Sequence, residues 1–156
     1  MVDFVEVGGK KTTVDWAQIE KFFEGRGYRL TRPRRRVVEK LLSVKDHVSA
    51  DALADLLKRD GIGVSKATVY RTLGLLKESQ LFDAHDFGTG QLLYEPMVGT
   101  PHHDHLFCIK CRRIIEFSNE EIERQQDLVM RKYRFEALYH SHKIFGYCDR
   151  CRKKRP

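Results

Sequence analysis

Two C-x2-C pairs constrain this 156-residue chain more than any other feature: Cys108-Ile109-Lys110-Cys111 and Cys148-Asp149-Arg150-Cys151. A pair at this spacing grips one ion from a tight turn, and two pairs give four thiolates, the tetrahedral donor set that suits Zn2+. With every position filled by protein none is left for substrate, so the expected role of the zinc is structural. The segment around Cys148 must then fold back onto the segment around Cys111. A domain of about 55 residues is where such a staple has most effect. The start of the chain lacks the basic stretch and apolar core of a signal peptide. No apolar run approaches the roughly 18 residues needed to span a bilayer. Both observations point to the cytoplasm, where paired cysteines read as metal ligands more readily than as disulfides. A redox dithiol would need only one such pair.

Directly ahead of the first pair stands His102-His103-Asp104-His105. Side chains alternate faces along a strand. An extended run therefore sends His102 and Asp104 one way and His103 and His105 the other. One strand can feed two metal sites, each needing further donors, for which Glu95, Glu116, Glu123, His140, His142 and His47 are candidates. Mixed imidazole and carboxylate ligation suits Fe2+, Mn2+, Co2+, Ni2+ or Zn2+ without choosing among them. The bland alternative is a solvated polar strand. Four ligand-type residues in succession beside a zinc clamp weigh against it.

The first half of the chain has a helical pattern. Residues 1–13 carry no firm signal and are expected to be flexible. Over 14–23, Trp16, Ile19, Phe22 and Phe23 recur at helical spacing, and Gly25 and Gly27 end that helix. Thr31 can N-cap a second helix with Pro33 in its first turn and Val37, Val38, Leu41 and Leu42 as its apolar stripe. Ser49 caps a third, with Ala52, Leu53, Leu56 and Leu57 inward. Ser65 caps a fourth over 66–79, with Val69, Leu73 and Leu76 inward. Short helices joined by tight turns form a helix-turn-helix pattern. Strand-like runs at 81–87 and 91–95, joined by Gly88-Thr89-Gly90, add a hairpin. Residues 1–95 thus read as a winged-helix domain. Residues 96–101, with two prolines and a glycine, read as a linker. Residues 102–156 read as a small α/β domain. It has paired strands at 104–110 and 113–117, a helix at 120–133 capped by Ser118 or Asn119, a strand at 135–147 and a mobile basic tail at 152–155. The fold class is α+β.

The formal net charge of +7 suits a polyanionic partner. It is focused: between positions 26 and 40, Arg26, Arg29, Arg32, Arg34, Arg35, Arg36 and Lys40 face one anion, Glu39. In a helix-turn-helix the second helix enters the major groove with its N-terminal residues nearest the bases. That brings Ser65, Lys66, Thr68, Tyr70 and Arg71 forward. Arg29 and the 32–36 cluster, Arg34 among them, suit phosphates or a minor groove. A solvated basic face is the plain alternative.

Three segments, Ala67-Thr68-Val69-Tyr70-Arg71, the run from His102 to Cys111, and Ile115-Glu116-Phe117, resemble the ferric uptake regulator family of metal-dependent bacterial repressors. His47-Val48-Ser49-Ala50 and the second C-x2-C pair add to the resemblance, which covers roughly residues 15–151. It implies a sensory site between the domains made by His47, Glu95, His103, His105 and Glu116, and a second site made by His102, Asp104, Glu123 and His140. It also implies a basic residue, Arg29, near the minor groove. Manganese-loaded peroxide sensors of the family tend to carry Asp at the position of Glu116, and zinc sensors often carry Cys near Glu95. Both differences favour the iron-sensing branch, with Fe2+ at the regulatory sites and Mn2+, Zn2+ or Co2+ as alternatives. His85 and His142 fall outside these sets and read as solvated or edge-strand histidines.

The resemblance therefore implies a cytoplasmic, non-enzymatic homodimer, with tetramers open. It would repress metal-uptake genes by binding an AT-rich inverted repeat in double-stranded DNA, metal favouring the DNA-competent arrangement. One rival is a metallohydrolase, since such clusters also activate water, but the sequence offers no clear general base or substrate pocket. Another is a zinc-stapled adaptor that senses nothing.

Overall fold

The computed structural model describes residues 2–7, 10–79, 81–97 and 101–154. The chain divides into two compact units, Met1–Thr100 and Pro101–Pro156.

In the first unit, α1 (Trp16–Glu24) begins where the Asp15 carboxylate accepts from the Ala17 and Gln18 amides. Helix α2 (Arg32–Ser43) starts at Thr31 with Pro33 in its first turn, where a missing N–H costs nothing, but the Thr31 hydroxyl makes no capping bond. Ser49 caps α3 (Ala50–Arg59) by accepting from Ala52 N, and Ser65 caps α4 (Lys66–Leu76) by accepting from Thr68 N. The apolar stripes of all four helices meet in one core. Ile19, Phe23, Val37, Val38, Leu41, Leu42, Leu53, Leu57, Val69, Leu73 and Leu76 are buried there with Phe82 and Tyr94 of the wing. The wing is a three-stranded antiparallel sheet in the order β3 (Val48–Ser49), β5 (Leu92–Pro96), β4 (Phe82–Asp86). Gly88 and Gly90 turn β4 into β5 with φ of +70° and +78°, values that a side chain would strain.

Several expectations are corrected. Residues 1–13 were given no element, yet β1 (Val2–Val7) and β2 (Lys10–Asp15) pair antiparallel, so Val14 belongs to a strand and not to the first helix. The two strand halves lack the strict alternation that marks a half-buried strand. Helix α4 stops at Leu76, with turns following, and Ala52 is exposed, the inward stripe of α3 being Ala50, Leu53 and Leu57. Pro96 is the last residue of β5, opposite Phe82, and not the first of the linker; a proline is tolerated at a strand end.

In the second unit, β6 (Asp104–Cys108) pairs antiparallel with β7 (Ile114–Phe117) and parallel with β8 (Lys143–Gly146), giving the order β7-β6-β8. Parallel pairing needs a crossover, and α5 (Glu120–Tyr133), capped by Asn119, supplies it. The strand expected over 135–147 is confined to the four residues of β8, because residues 134–142 have no ladder partner. His102 and His103 lie just ahead of β6, not within it. The tail is helical through Arg152 in α6 (Asp149–Arg152), and Arg155 lies outside the described residues. No described helix is long and apolar enough to cross a membrane. Helix α5 has no buried residue, and among the described residues of this unit Phe107 and Cys108 are the only buried apolar ones.

Leu73 is fully buried at the centre of the first unit's core. Leu73→Ala is expected to destabilise that unit by about 2–5 kcal/mol, measured as a lower urea midpoint with unchanged slope.

Candidate metal centres and DNA-reading surface

The two C-x2-C pairs converge. Cys108 ends β6, Cys111 lies in the turn after it, Cys148 follows β8 and Cys151 lies in α6, and all four sulfurs come within 4.8 Å of one another. Cys111 Sγ and Cys148 Sγ are 3.7 Å apart. Zinc–thiolate bonds of about 2.3 Å require tetrahedral edges of about 3.8 Å, so the donor set fits Zn2+ in both chemistry and spacing. The backbone shapes the grip. Arg112 N donates to Cys108 O at 2.7 Å and Cys108 N to Arg113 O at 2.9 Å, closing a turn that holds Arg112 at φ +61°. The Cys148 amide donates to Cys108 Sγ at 3.3 Å. That bond, with backbone donors near Cys111 and Lys110, lowers the Cys108 thiol to about 6. Desolvation and the neighbouring thiols push Cys151 up to about 12.

A second group lies in the same unit. His102 Nε2 and His140 Nε2 are 2.7 Å apart, and Glu123 of α5 reaches both, 3.5 Å from His102 and 3.4 Å from His140. Asp104 Oδ1 is 3.6 Å from His102 Nε2. Asp104 is 1% exposed, and neither carboxylate oxygen has a hydrogen-bond partner. Burying an ionised carboxylate without partners costs several kcal/mol, so this arrangement makes physical sense around a cation. Nitrogen and oxygen donors about 2.1 Å from one ion stand roughly 3.0–3.4 Å apart, close to the separations seen. His102, Asp104, Glu123 and His140 are therefore fit to hold a divalent metal.

The remaining expected ligands divide between the units. In the first, Glu95 of β5 is hydrogen-bonded to His85 Nε2 and lies 3.5 Å from His47 Nε2. In the second, His103 Nε2 is 4.0 Å from Glu116 Oε2, the His103 and His105 rings are 4.9 Å apart, and His105 faces Glu116 across the β6–β7 ladder. His85 was read as a solvated or edge-strand histidine. It does lie on an edge strand, β4, but it is buried and not solvated, and it stands with His47 and Glu95, its ring 5.5 Å from that of His47. The signal was available in the hairpin: Asp83 pairs with Glu95 and His85 with Leu93, so His85 and Glu95 share one face of the wing. His142, also set aside, has Nδ1 3.6 Å from Asp104 Oδ2.

Residues 25–145 match the model of the ferric uptake regulator family. The chain belongs to that family. As a member of the ferric uptake regulator family it is a metal-responsive transcriptional regulator. It is 36% identical over 126 residues to the ferric uptake regulation protein of Legionella pneumophila, covering 80% of this chain and 92% of that one. Among solved structures it is similar to the ferric uptake regulator of Helicobacter pylori, described as having three functional metal binding sites. That likeness has 26% identity and a TM-score of 0.76 over 90% of this chain and 93% of the other. It is similar also to the Pseudomonas aeruginosa regulator with manganese, at 28% identity and TM-score 0.76, over 87% and 98%.

The helix-turn-helix of this family member presents α4. Lys66, Tyr70 and Arg71 are exposed on it, whereas the hydroxyls of Ser65 and Thr68 bond each other at 2.8 Å in the helix cap. Tyr70 Oη donates to Asp51 Oδ1 at 2.6 Å, and Lys66 Nζ pairs with the same oxygen at 2.7 Å. The bond from Lys66, then that from Tyr70, holds the Asp51 carboxyl below the usual range. Sequence reasoning missed Asp51. Arg34, expected at phosphate, donates to Arg29 O at 2.7 Å and covers the Tyr28 ring. Arg35 covers Trp16 and binds Glu39. The guanidinium groups of Arg29, Arg32 and Arg71 enter no ion pair among the described residues.

Two outcomes are expected. Zinc uptake by metal-free protein at pH 7 releases fewer than four protons per ion, because Cys108 is already a thiolate while Cys151 loses its proton only to the metal. Affinity then falls with pH throughout this range, and more steeply below about 6, where Cys108 also protonates. A pH-indicator titration gives the count, and four protons per zinc would refute it. Asp51→Asn removes a carboxylate beside Lys66 and Tyr70, the two side chains expected at DNA. It should tighten binding to random DNA by roughly threefold to tenfold at low salt and narrow the preference for a specific site, read by fluorescence anisotropy.

Proposed function

We propose that this regulator is a cytoplasmic, iron-responsive repressor rather than a catalyst, and that the metal acts on the DNA-binding head through ligands built into it. One observation carries this: His85 and Glu95 are on the two strands of the wing, and His47 immediately precedes the third. An ion held there cannot be indifferent to the geometry of the head. Metal that binds one arrangement of the head better than another shifts the population towards it, and DNA affinity and metal affinity then rise together.

In the full proposal His47, Glu95, His103, His105 and Glu116 share a sensed Fe2+, with His85 as a further donor to Glu95. His102, Asp104, Glu123 and His140 take a second divalent ion, and the four cysteines keep a permanent Zn2+. The Helicobacter pylori relative's three functional metal binding sites and the manganese in the Pseudomonas aeruginosa relative support this division. Imidazole and carboxylate donors leave Mn2+, Co2+ and Zn2+ as competitors. The target is an inverted repeat in AT-rich double-stranded DNA ahead of metal-uptake genes, read by the two heads of a homodimer, and two dimers can share one operator. Support for the homodimer lies in the second unit, where Tyr133, Phe135, Leu138 and Tyr139 are 70%, 68%, 90% and 87% exposed. So large an apolar patch marks an interface. Arg29, Arg32 and Arg71 contact the nucleic acid, with Lys66 and Tyr70 joining them on release from Asp51.

Anaerobic gel shifts at buffered free Fe2+, Mn2+, Co2+ and Zn2+, with the zinc clamp loaded throughout, test the reading. Operator binding should require a second metal and should saturate at the lowest free concentration that is physiological for Fe2+. Binding that is equally tight with the clamp zinc alone overturns the metal switch.

A further inference from the structure

We propose that His142 is a positioning residue for the second metal group, holding the Asp104 carboxylate so that its other oxygen faces the ion. The inference rests on the reading of His102, Asp104, Glu123 and His140 as a metal site, and adds to it a residue outside that set.

The two Asp104 oxygens face different imidazoles. Oδ1 lies 3.6 Å from His102 Nε2, on the side where Glu123 and His140 converge. Oδ2 lies 3.6 Å from His142 Nδ1. His142 is not one of the four groups that come mutually within 4.8 Å, so it stands behind Asp104 and not with the ligands. Nδ1 of His142 and both oxygens of Asp104 are buried and have no hydrogen-bond partner. Unsatisfied buried polar atoms are uncommon and destabilising. Here a donor and an acceptor are orphaned side by side, separated by a few tenths of an ångström more than a hydrogen bond spans. A small rotation of either side chain lets Nδ1–H donate to Oδ2 and satisfies both.

The backbone makes the juxtaposition inevitable. His105 N donates to His142 O at 3.2 Å, and the parallel β6–β8 ladder continues from His105 opposite Lys143. One step back along both strands, Asp104 and His142 are neighbours. The Phe117 ring stands edge-on 6.2 Å from the His142 ring and limits its swing. Carboxylate ligands are commonly oriented by such outer partners, whose loss costs about 10–100-fold in metal affinity.

The test uses the full-length, zinc-loaded protein titrated with Co2+ and followed by its visible d–d absorbance and by isothermal calorimetry. The component lost in His140→Ala defines the second group. His142→Leu should weaken that component tenfold to a hundredfold while leaving zinc content and near-UV circular dichroism unchanged. His142→Asn, whose amide can donate from the place of Nδ1, should recover most of the affinity. Undiminished affinity in His142→Leu overturns the inference, as does His142→Asn binding no better than His142→Leu. If His140→Ala removes no component, the metal reading itself fails, and His142 with it.

Discussion

The second unit is held by coordination where other domains of its size are held by oil. Its helix α5 buries no residue, and its sheet contributes little beyond Phe107 to an apolar interior. Four thiolates at one end of β6 and β8 take that place. Because Cys108 ends β6 and Cys148 follows β8, the clamp joins the two strands that carry or adjoin Asp104, His105 and His142. The placing of Asp104 beside His142 follows from ladder register, and a zinc in the clamp would tie down the ends of that ladder. A structural ion would thereby bear on the geometry available to an exchangeable one.

The first unit obeys a different economy. Its interior is a conventional apolar core shared by four helices and the wing. The polar groups concentrate at two places on its rim: His47, His85 and Glu95 along the sheet, and Lys66, Tyr70 and Asp51 at the start of α4. In the second place the cation and hydroxyl best suited to nucleic acid are already engaged by a carboxylate. Were Lys66 and Tyr70 to engage DNA as proposed, the Asp51 carboxylate would have to release them.

Much of this was legible in the chain because the signals were periodic or chemically narrow. The stripes of α2 and α4, the caps at Ser49 and Ser65 and the span of α5 follow from spacing alone. What escaped depended on register and pairing. β1 and β2 gain their partners from each other, not from a pattern either carries. His85 joins Glu95 only once Asp83 is known to stand opposite it. Arg34 and Arg35 look like phosphate ligands by type, and that the aromatic faces of Tyr28 and Trp16 also lie within their reach is legible only in the fold. His142 gains meaning from a parallel neighbour about 40 residues away in sequence, a separation no local reading bridges.

That parallel pairing of β6 with β8 has a kinetic side. The strands are separated by a hairpin, a helix and an irregular stretch, and non-local ladders form late because loop closure precedes any reward. Thiolates need no ladder to find an ion. In an unfolded chain carrying zinc at the C-x2-C turns, the ends of the two strands are already gathered, and the search for register shrinks to a few residues. A zinc held at both turns would thus serve the assembly of the unit as well as its upkeep.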